Sequence, residues 1–353
     1  MKFEFTEEHE ALRSLIAEVC EREADPRSSY DGPSLIDTKL WSALCNAGVL
    51  GVGVSEAYEG GGAGPVEQVI IAEELGRTAA AIPFSEHSAA AETVALLGSD
   101  EQRKRLLIPL VRGESVGSIT LPTQANLGAV EAHPDGAQWR LNGHLPLIPN
   151  AGAATVFLVP ARVDEQVRWF TTETADVTAL ATVDRTRPAA AAEFGDADAE
   201  LLSRNEISER PSELLMTLAA AEAAGAAATA LQTTARYTTE RHQFGLPIGT
   251  FQAVKHRLAD MLVAVENSRS AVYGAAWALA EGDSAARPVS LAQAVATGNA
   301  VTVVSDAVQL HGGIGVTWEC DLHLYLRRAK ALELTYGSPS THRERIAQSL
   351  LDD

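Results

Sequence analysis

At 353 residues, 46% hydrophobic and 21% charged, the chain exceeds what one hydrophobic core usually serves, which excludes a disordered segment and points to two or three domains. A formal net charge of −19 excludes a broad electrostatic grip on nucleic acid or an anionic membrane, because both need clustered Lys and Arg. Cys20, Cys45 and Cys320 are odd in number, widely spaced and without a CxxC pair, which argues against a disulfide framework or a zinc site and fits a reducing cytoplasm.

The opening MKFEFTEEHEALRSL is acidic and amphipathic, and so does not read as a signal peptide. Thr6 begins a capping-box-like TEEH, after which Leu12, Leu15, Ile16 and Val19 recur at helical spacing. A second helix, DTKLWSALCNAGVLGVGV, ends at Gly48 in an αL-competent stop. The flexible loop YEGGGAG at 58–64 is either a surface connection or a ligand contact, and VEQVIIAEELGRTA resumes helical spacing. Residues 1–114 therefore read as a helical domain.

Near Ser115 the period changes. GSITL, QWRLNGHLPLI and ATVFLVPARV are short segments rich in β-branched and aromatic residues, and Asn142-Gly143 is a hairpin signal because both residues tolerate φ > 0. A β domain is expected over 115–206, closing near GDADAELL at 195–202. From 207 to 353 the pattern is helical, with long segments 212–240, 249–281, 287–311 and 320–334. LLMTLAAAEAAGAAATAL at 214–231 is mostly alanine, follows Glu213 and contains Glu222, so it reads as a buried helix rather than a membrane span. The expected fold is α+β: an N-terminal helical domain, a middle β-barrel-like domain and a C-terminal four-helix bundle.

RHQFGLPIGTFQAVKHRLADM at 241–261 and QLHGGIGVTWECDLHLYLRRAKA at 309–331 carry the most specific pattern. With LWSALCNAGVLGVGVSEAYEGGGAG, VIIAEELGR and DEQRKRLLIPLVRGESVGSITL in the same order, the chain resembles the acyl-CoA dehydrogenase family over essentially its whole length. The resemblance implies FAD, an acyl-CoA substrate whose Cα–Cβ bond is oxidised, and electron-transferring flavoprotein as acceptor. Arg241 offers a rigid fork of donors suited to a pyrophosphate, while Gln243, Phe244 and Gln252 add amide and aromatic surface. In the family such an arginine reaches a flavin held mainly by a neighbouring subunit; its alternative here is a helix-end arginine in a salt bridge. Gly312, Gly313 and Gly315 remove side chains where backbone could approach a ligand. With Gln309 and the downstream LRRAK, the resemblance implies the second half of the same FAD contact, the alternative being a plain helix end and turn.

Two departures from the family pattern matter. The segment ALELTYGSPSTHRERIA at 331–347 breaks at Tyr336-Gly337 and restarts at Ser340, and the family's glutamate base stands immediately before that glycine, where this chain has Tyr336. A carboxylate is ionised at neutral pH. A phenol, with a reference pKa of about 10, costs roughly 4 kcal/mol to ionise at pH 7. Some members place the base at the start of an earlier helix; the matching residue is Leu215. Glu213 and Glu222 do not project where Leu215 does on a helix turning about 100° per residue. Glu213 serves only if the helix start is shifted, and is otherwise an acid in a first turn. The second departure is in the β domain, where TLPTQANLG (120–128) and LIPNAG (147–152) replace the family's TEPxxGSD-like loop and WIT-like strand, and Pro149 removes a backbone donor.

The family includes heteromeric actinobacterial enzymes of sterol side-chain degradation, in which two related chains form an α2β2 assembly and one type carries the base. This chain resembles the baseless type. The resemblance thus implies a base-bearing homologous partner, with a homo-oligomer using another base as the alternative.

Overall fold

The computed structural model describes residues 4–32, 35–122, 128–136, 138–202, 208–282 and 284–351. Helix α1 (Glu7–Glu23) begins where the sequence signals it. Thr6 Oγ1 accepts the His9 backbone N–H at 3.3 Å and His9 Nδ1 accepts the Thr6 N–H at 3.0 Å, so a histidine completes the capping box. Helices α2 (Pro26–Asp31) and α3 (Thr38–Asn46) follow, the latter capped by Asp37 and ended before Gly48 at φ 72°. Next come α4 (Pro65–Arg77), α5 (Phe84–Leu97) and α6 (Asp100–Val111). The YEGGGAG segment is packed rather than flexible: a Cβ on Gly60 would lie 2.1 Å from the Val54 carbonyl oxygen, and the Gly62 N–H donates to that oxygen at 2.8 Å. Its glycines serve a backbone crossing.

Strands β1 (Gly117–Ile119), β2 (Val130–Asp135), β3 (Gln138–Pro149), β4 (Val156–Val163), β5 (Gln166–Thr172), β6 (Asp176–Ala179) and β7 (Ala189–Leu201) form one sheet in the order β1-β4-β2-β3-β7-β5, with β6 on β7. Because β5 also pairs with β4, five of these strands close into a ring. Val130, Leu141, Leu145, Phe157, Val159, Phe170 and Phe194 fill its core, so the barrel-like expectation holds.

Asn142-Gly143 is not a hairpin turn. The β2–β3 hairpin closes at the Asp135–Gln138 pair, and Asn142 and Gly143 lie inside β3, pairing with β2 and β7. The register shifts there, leaving Asp196 as the extra residue of a bulge at φ 58°, with its N–H on Asn142 Oδ1 at 3.0 Å. A Cβ on Gly143, at φ 145°, would meet the Ala129 carbonyl oxygen at 2.2 Å. The left-handed φ of the bulge belongs to Asp196 on β7, while Asn142 supplies its side-chain acceptor and Gly143 the room against the Ala129 carbonyl.

Beyond the sheet lie α7 (Arg210–Glu240), the short strands β8 (His242–Gln243) and β9 (Leu246–Pro247), α8 (Gln252–Glu281), α9 (Ala286–His311), α10 (Leu322–Thr335) and α11 (Pro339–Leu351). Among the described residues this region has five helices and a small hairpin, where the periodicity gave four. The fifth, α11, is the run that restarts near Ser340; only Pro339 and His342 are buried on it, so its apolar period is weak. Helix α7 is long and apolar enough to cross a membrane, but 89% of its most apolar window is buried inside the protein.

The described residues of Met1–Pro26, Pro65–Ala80 and Met216–Asp353 gather into one compact unit, and those of Arg27–Gly64 and Ala81–Leu215 into another. In the first, α4 and α7 touch backbone to backbone. A Cβ on Gly76 would lie 2.2 Å from the Glu222 carbonyl oxygen, and one on Gly225 2.0 Å from that of Glu73. Two buried carboxylates flank this crossing. Glu73, 1% exposed, takes Arg13 at 2.9 Å, Arg269 at 2.8 Å and the Tyr273 hydroxyl at 2.7 Å. Burial pushes the Glu73 carboxyl up, but the Arg13 and Arg269 charges and the hydrogen bonds outweigh it and hold it below its ordinary 4.5. Glu222 pairs with buried Arg328 at 3.4 Å, and Arg328 also donates to the Ala79 and Ala80 carbonyls at 3.1 and 2.9 Å.

Gly225→Ala is expected to lower stability by about 1–3 kcal/mol through overpacking. Gly274→Ala on α8, where a Cβ meets nothing within 4 Å, is expected to leave stability unchanged or raise it; urea midpoints compare the two. Because its folded pKa is depressed, the stability contributed by Glu73 is fully present above pH 4.5 and is lost as pH falls through the lower folded value. Glu73→Gln should therefore destabilise the protein strongly near neutral pH, and the gap should narrow below pH 4.5 in a denaturation series.

Candidate functional site

The residues expected to meet a cofactor collect where helices of the first unit end. After α7, the Arg241 N–H donates to the Tyr237 carbonyl and the Arg241 carbonyl accepts the Ile248 N–H, both at 2.8 Å. Between these bonds His242 pairs with Pro247 and Gln243 with Leu246, leaving Phe244 and Gly245 as a two-residue turn at φ 53° and 80°. A bulky side chain such as that of Phe244 is strained at such a φ. Phe244 is 93% exposed, and its ring meets that of Phe251 edge-on at 6.2 Å between centroids. Strain of this kind persists where a ligand or partner uses it.

The Arg241 side chain is exposed and has no hydrogen bond or ion pair among the described residues, so the helix-end salt bridge does not form. Gln243 is exposed, with Nε2 donating to the His242 carbonyl at 2.8 Å, and Gln252 opens α8 as an exposed first residue. At the end of α9, Gln309 is exposed, Gly312 turns the chain at φ 64° and ψ −139°, and a Cβ on Gly312 or Gly313 would meet nothing within 4 Å. Gly315 differs: its Cβ would lie 2.6 Å from the Val308 carbonyl oxygen, so that glycine serves the turn itself. Arg328 of LRRAK is likewise structural, buried against Glu222.

The two motifs are joined by residues the sequence patterns did not single out. The Tyr237 ring stacks on that of His311, with centroids 4.2 Å apart and planes 19° apart, and its hydroxyl donates to the His311 carbonyl at 3.4 Å. The available signal was position: Tyr237 stands one turn before Arg241, and His311 directly before Gly312.

The expected base positions hold no poised carboxylate. Tyr336, 8% exposed, ends α10, and its carbonyl accepts from His342 Nε2 at 3.1 Å. A Cβ on Gly337, at φ 105°, would lie 2.9 Å from that nitrogen. Burial, opposed by the bond to the Tyr336 carbonyl, lowers the His342 pKa, so the ring is neutral at pH 7 with its proton on Nε2. Leu215 is fully buried on α7. Glu213 is half-buried, and burial, reinforced by Glu209 and opposed by Arg210, pushes its carboxyl up.

In the second unit, Pro149 ends β3 with its carbonyl accepting from Ser118 Oγ at 3.2 Å, and Asn150 follows at φ 56° with its N–H on the Pro188 carbonyl at 2.7 Å. Leu147 is half-exposed. Of TLPTQANLG, residues 123–127 lie outside the described residues.

An unpaired exposed guanidinium, an open diglycine turn and an outward aromatic side chain fit the pyrophosphate and ring surfaces of a flavin nucleotide. Helices before and after a closed β-barrel, with such a surface on the later helices, define a flavoprotein of the dehydrogenase type. The chain belongs to the acyl-CoA dehydrogenase family, FAD-dependent oxidoreductases acting on the CH–CH bond of an acyl-CoA: residues 6–114 match its N-terminal domain and 216–351 its C-terminal domain. Acyl-CoA dehydrogenase FadE27 of Mycobacterium tuberculosis is 30% identical over 380 residues, covering 100% of this chain and 99% of that protein. Among solved structures, the ChsE4–ChsE5 complex of Mycobacterium tuberculosis matches with a TM-score of 0.92 at 30% identity over 100% of both chains. The Tcur3481–Tcur3483 steroid acyl-CoA dehydrogenase, a G363A variant, matches with a TM-score of 0.90 at 30% identity over 98% of each.

If Arg241 meets the FAD pyrophosphate, Arg241→Ala would remove a charge-assisted contact and is expected to weaken FAD binding by about 1.5–3 kcal/mol. Fluorescence titration of the apo form of the assembled enzyme with FAD reads this directly, and an unchanged affinity counts against the assignment.

Proposed function

We propose that this chain is the baseless subunit of a heteromeric acyl-CoA dehydrogenase, supplying FAD contacts and scaffold to a base-bearing homologous partner in an α2β2 assembly. The observation that carries the reading is the pairing of a kept cofactor surface with a missing base. Arg241, Gln243, Phe244, Gln252, Gln309, Gly312 and Gly313 remain outward and open, whereas Tyr336 and Leu215 stand where the family places its carboxylate.

FAD, when bound, supplies the acceptor for the hydride that leaves the substrate β-carbon. Arg241 offsets pyrophosphate charge, and Gly312 and Gly313 let backbone come close to it. Tyr336 moves no proton, because a phenol, with a reference pKa of about 10, is a poor base at neutral pH. Leu246, Leu262, Val263, Ile314, Val316 and Trp318 are exposed on or near the elements that carry the cofactor residues, where a partner chain would cover them. The likeness to a steroid acyl-CoA dehydrogenase makes a sterol-derived acyl-CoA the proposed substrate class. Electron-transferring flavoprotein is the proposed acceptor, and a reducing cytoplasm, suited to three free cysteines, the proposed compartment.

One observation favours a second reading, a homomeric enzyme with Glu213 as base. Its carboxyl is half-buried and shifted up, as a general base can be. Against this, Leu215, at the family's position, points into the core while Glu213 does not. Expression of the chain alone and with a base-bearing homologue separates the readings: a colourless or insoluble lone chain and an active yellow heteromer support the first, and an active yellow homomer the second.

In the reconstituted heteromer, Tyr336→Phe should leave turnover within a few-fold, since one hydrogen bond is worth about 1 kcal/mol. A loss of about a hundredfold with flavin and assembly intact would show the phenol engaged in the chemistry and overturn the baseless reading.

A further inference from the structure

We propose that Tyr237 and His311 are positioning residues that lock the arginine turn and the diglycine turn into a single cofactor-binding surface; the proposal rests on the reading that Arg241, Gly312 and Gly313 meet FAD. Each motif hangs on the end of a long helix, α7 for one and α9 for the other, and helix ends fray. A ligand that needs both at once binds well only if something fixes their relative placement.

Tyr237 touches both motifs. Its carbonyl accepts the Arg241 N–H at 2.8 Å, so the arginine turn is hung on the tyrosine's own backbone. Its ring lies flat on His311, and its hydroxyl reaches the His311 carbonyl, the group that immediately precedes Gly312. His311 is held in turn by Nδ1, which donates to the Ala307 carbonyl one turn back at 2.8 Å. The chain of contact therefore runs from α9 through His311 and Tyr237 to Arg241 without a gap.

Burial alone does not account for the tyrosine. Tyr237 is only part-buried, and its helix neighbours Arg236, Thr239 and Glu240 stand at or near the surface, so it lies at the rim of the core rather than within it. The 3.4 Å hydroxyl contact is long for a strong hydrogen bond, which leaves the stack as the main link. Phenylalanine should then replace the tyrosine, and an aliphatic side chain should not.

The test is a double-mutant cycle on FAD affinity, measured by titrating the apo form of the reconstituted assembly with FAD, with Tyr237→Leu, Arg241→Ala, the double variant and Tyr237→Phe in this chain. Tyr237→Leu and Arg241→Ala are each expected to weaken FAD by about tenfold or more, and the double variant to lie within about threefold of the weaker single, because one residue acts through the other. Tyr237→Phe is expected to stay within about threefold of wild type. A merely structural role would give additive losses and a lowered urea midpoint instead, and would overturn the proposal. If Arg241→Ala loses FAD while Tyr237→Leu does not, the positioning role fails and the FAD reading stands. If neither single variant changes the affinity, the FAD reading itself fails. Should Tyr237→Leu not assemble, His311→Ala removes the other half of the stack while keeping the carbonyl; coupling to Arg241→Ala then supports the positioning role, and additive losses overturn it.

Discussion

The C-terminal helices depend on one close crossing. Helices α4 and α7 meet at Gly76 and Gly225 so tightly that neither position has room for a methyl group. At that separation no side chain can fill the seam, and the helices are held instead by carboxylates placed beside it. Glu73 gathers Arg13 of α1 with Arg269 and Tyr273 of α8, and Glu222 gathers Arg328 of α10. Buried ions of this kind contribute little net stability, but leaving one unpaired costs several kcal/mol, on the order of 3–5. They therefore act against misplacement of the helices, since any other arrangement strands a charge.

That arrangement explains why the cofactor surface can be built from irregular pieces. The hairpin after α7 and the turn after α9 contain few apolar contacts of their own, and a solvent-facing strained residue such as Phe244 adds nothing to folding. Their geometry is inherited from the helices that carry them. The packed helices supply the stability, and the exposed ends keep the donors and open backbone that the proposed nucleotide contact would use.

The proposed baseless role fits the same division of labour. On that proposal, cofactor contacts on helix ends would serve a flavin held chiefly by another chain, and so would stay useful to an assembly without a base in this chain. A base is useful only where substrate and flavin ring meet in its own subunit. The segment at this position is packed: Tyr336 is buried, a Cβ on Gly337 would lie 2.9 Å from His342 Nε2, and that nitrogen donates to the Tyr336 carbonyl.

The sequence by itself determined the order of helix, sheet and helix, because apolar period is a local property that a shift from about 3.6 to 2 residues reports directly. It also determined the cofactor candidates, whose residue types carry their chemistry wherever they fold. It read Asn142-Gly143 as a hairpin because local signals report a permitted φ, whereas the neighbouring strands hold the pair inside β3, opposite the bulge at Asp196. It left Arg241 between ion pair and open ligand group, since only the placement of nearby carboxylates can choose. Arg328 is the converse case, an arginine of a cofactor-like motif that the fold consumes in its core. Contact between Tyr237 and His311 crosses 74 positions of chain, and no pattern of spacing reports a ring stacked over such a distance. Tertiary structure decided these points because each depends on which side chain arrives from elsewhere, and the physical chemistry of a residue names its possible partners without saying which one is near.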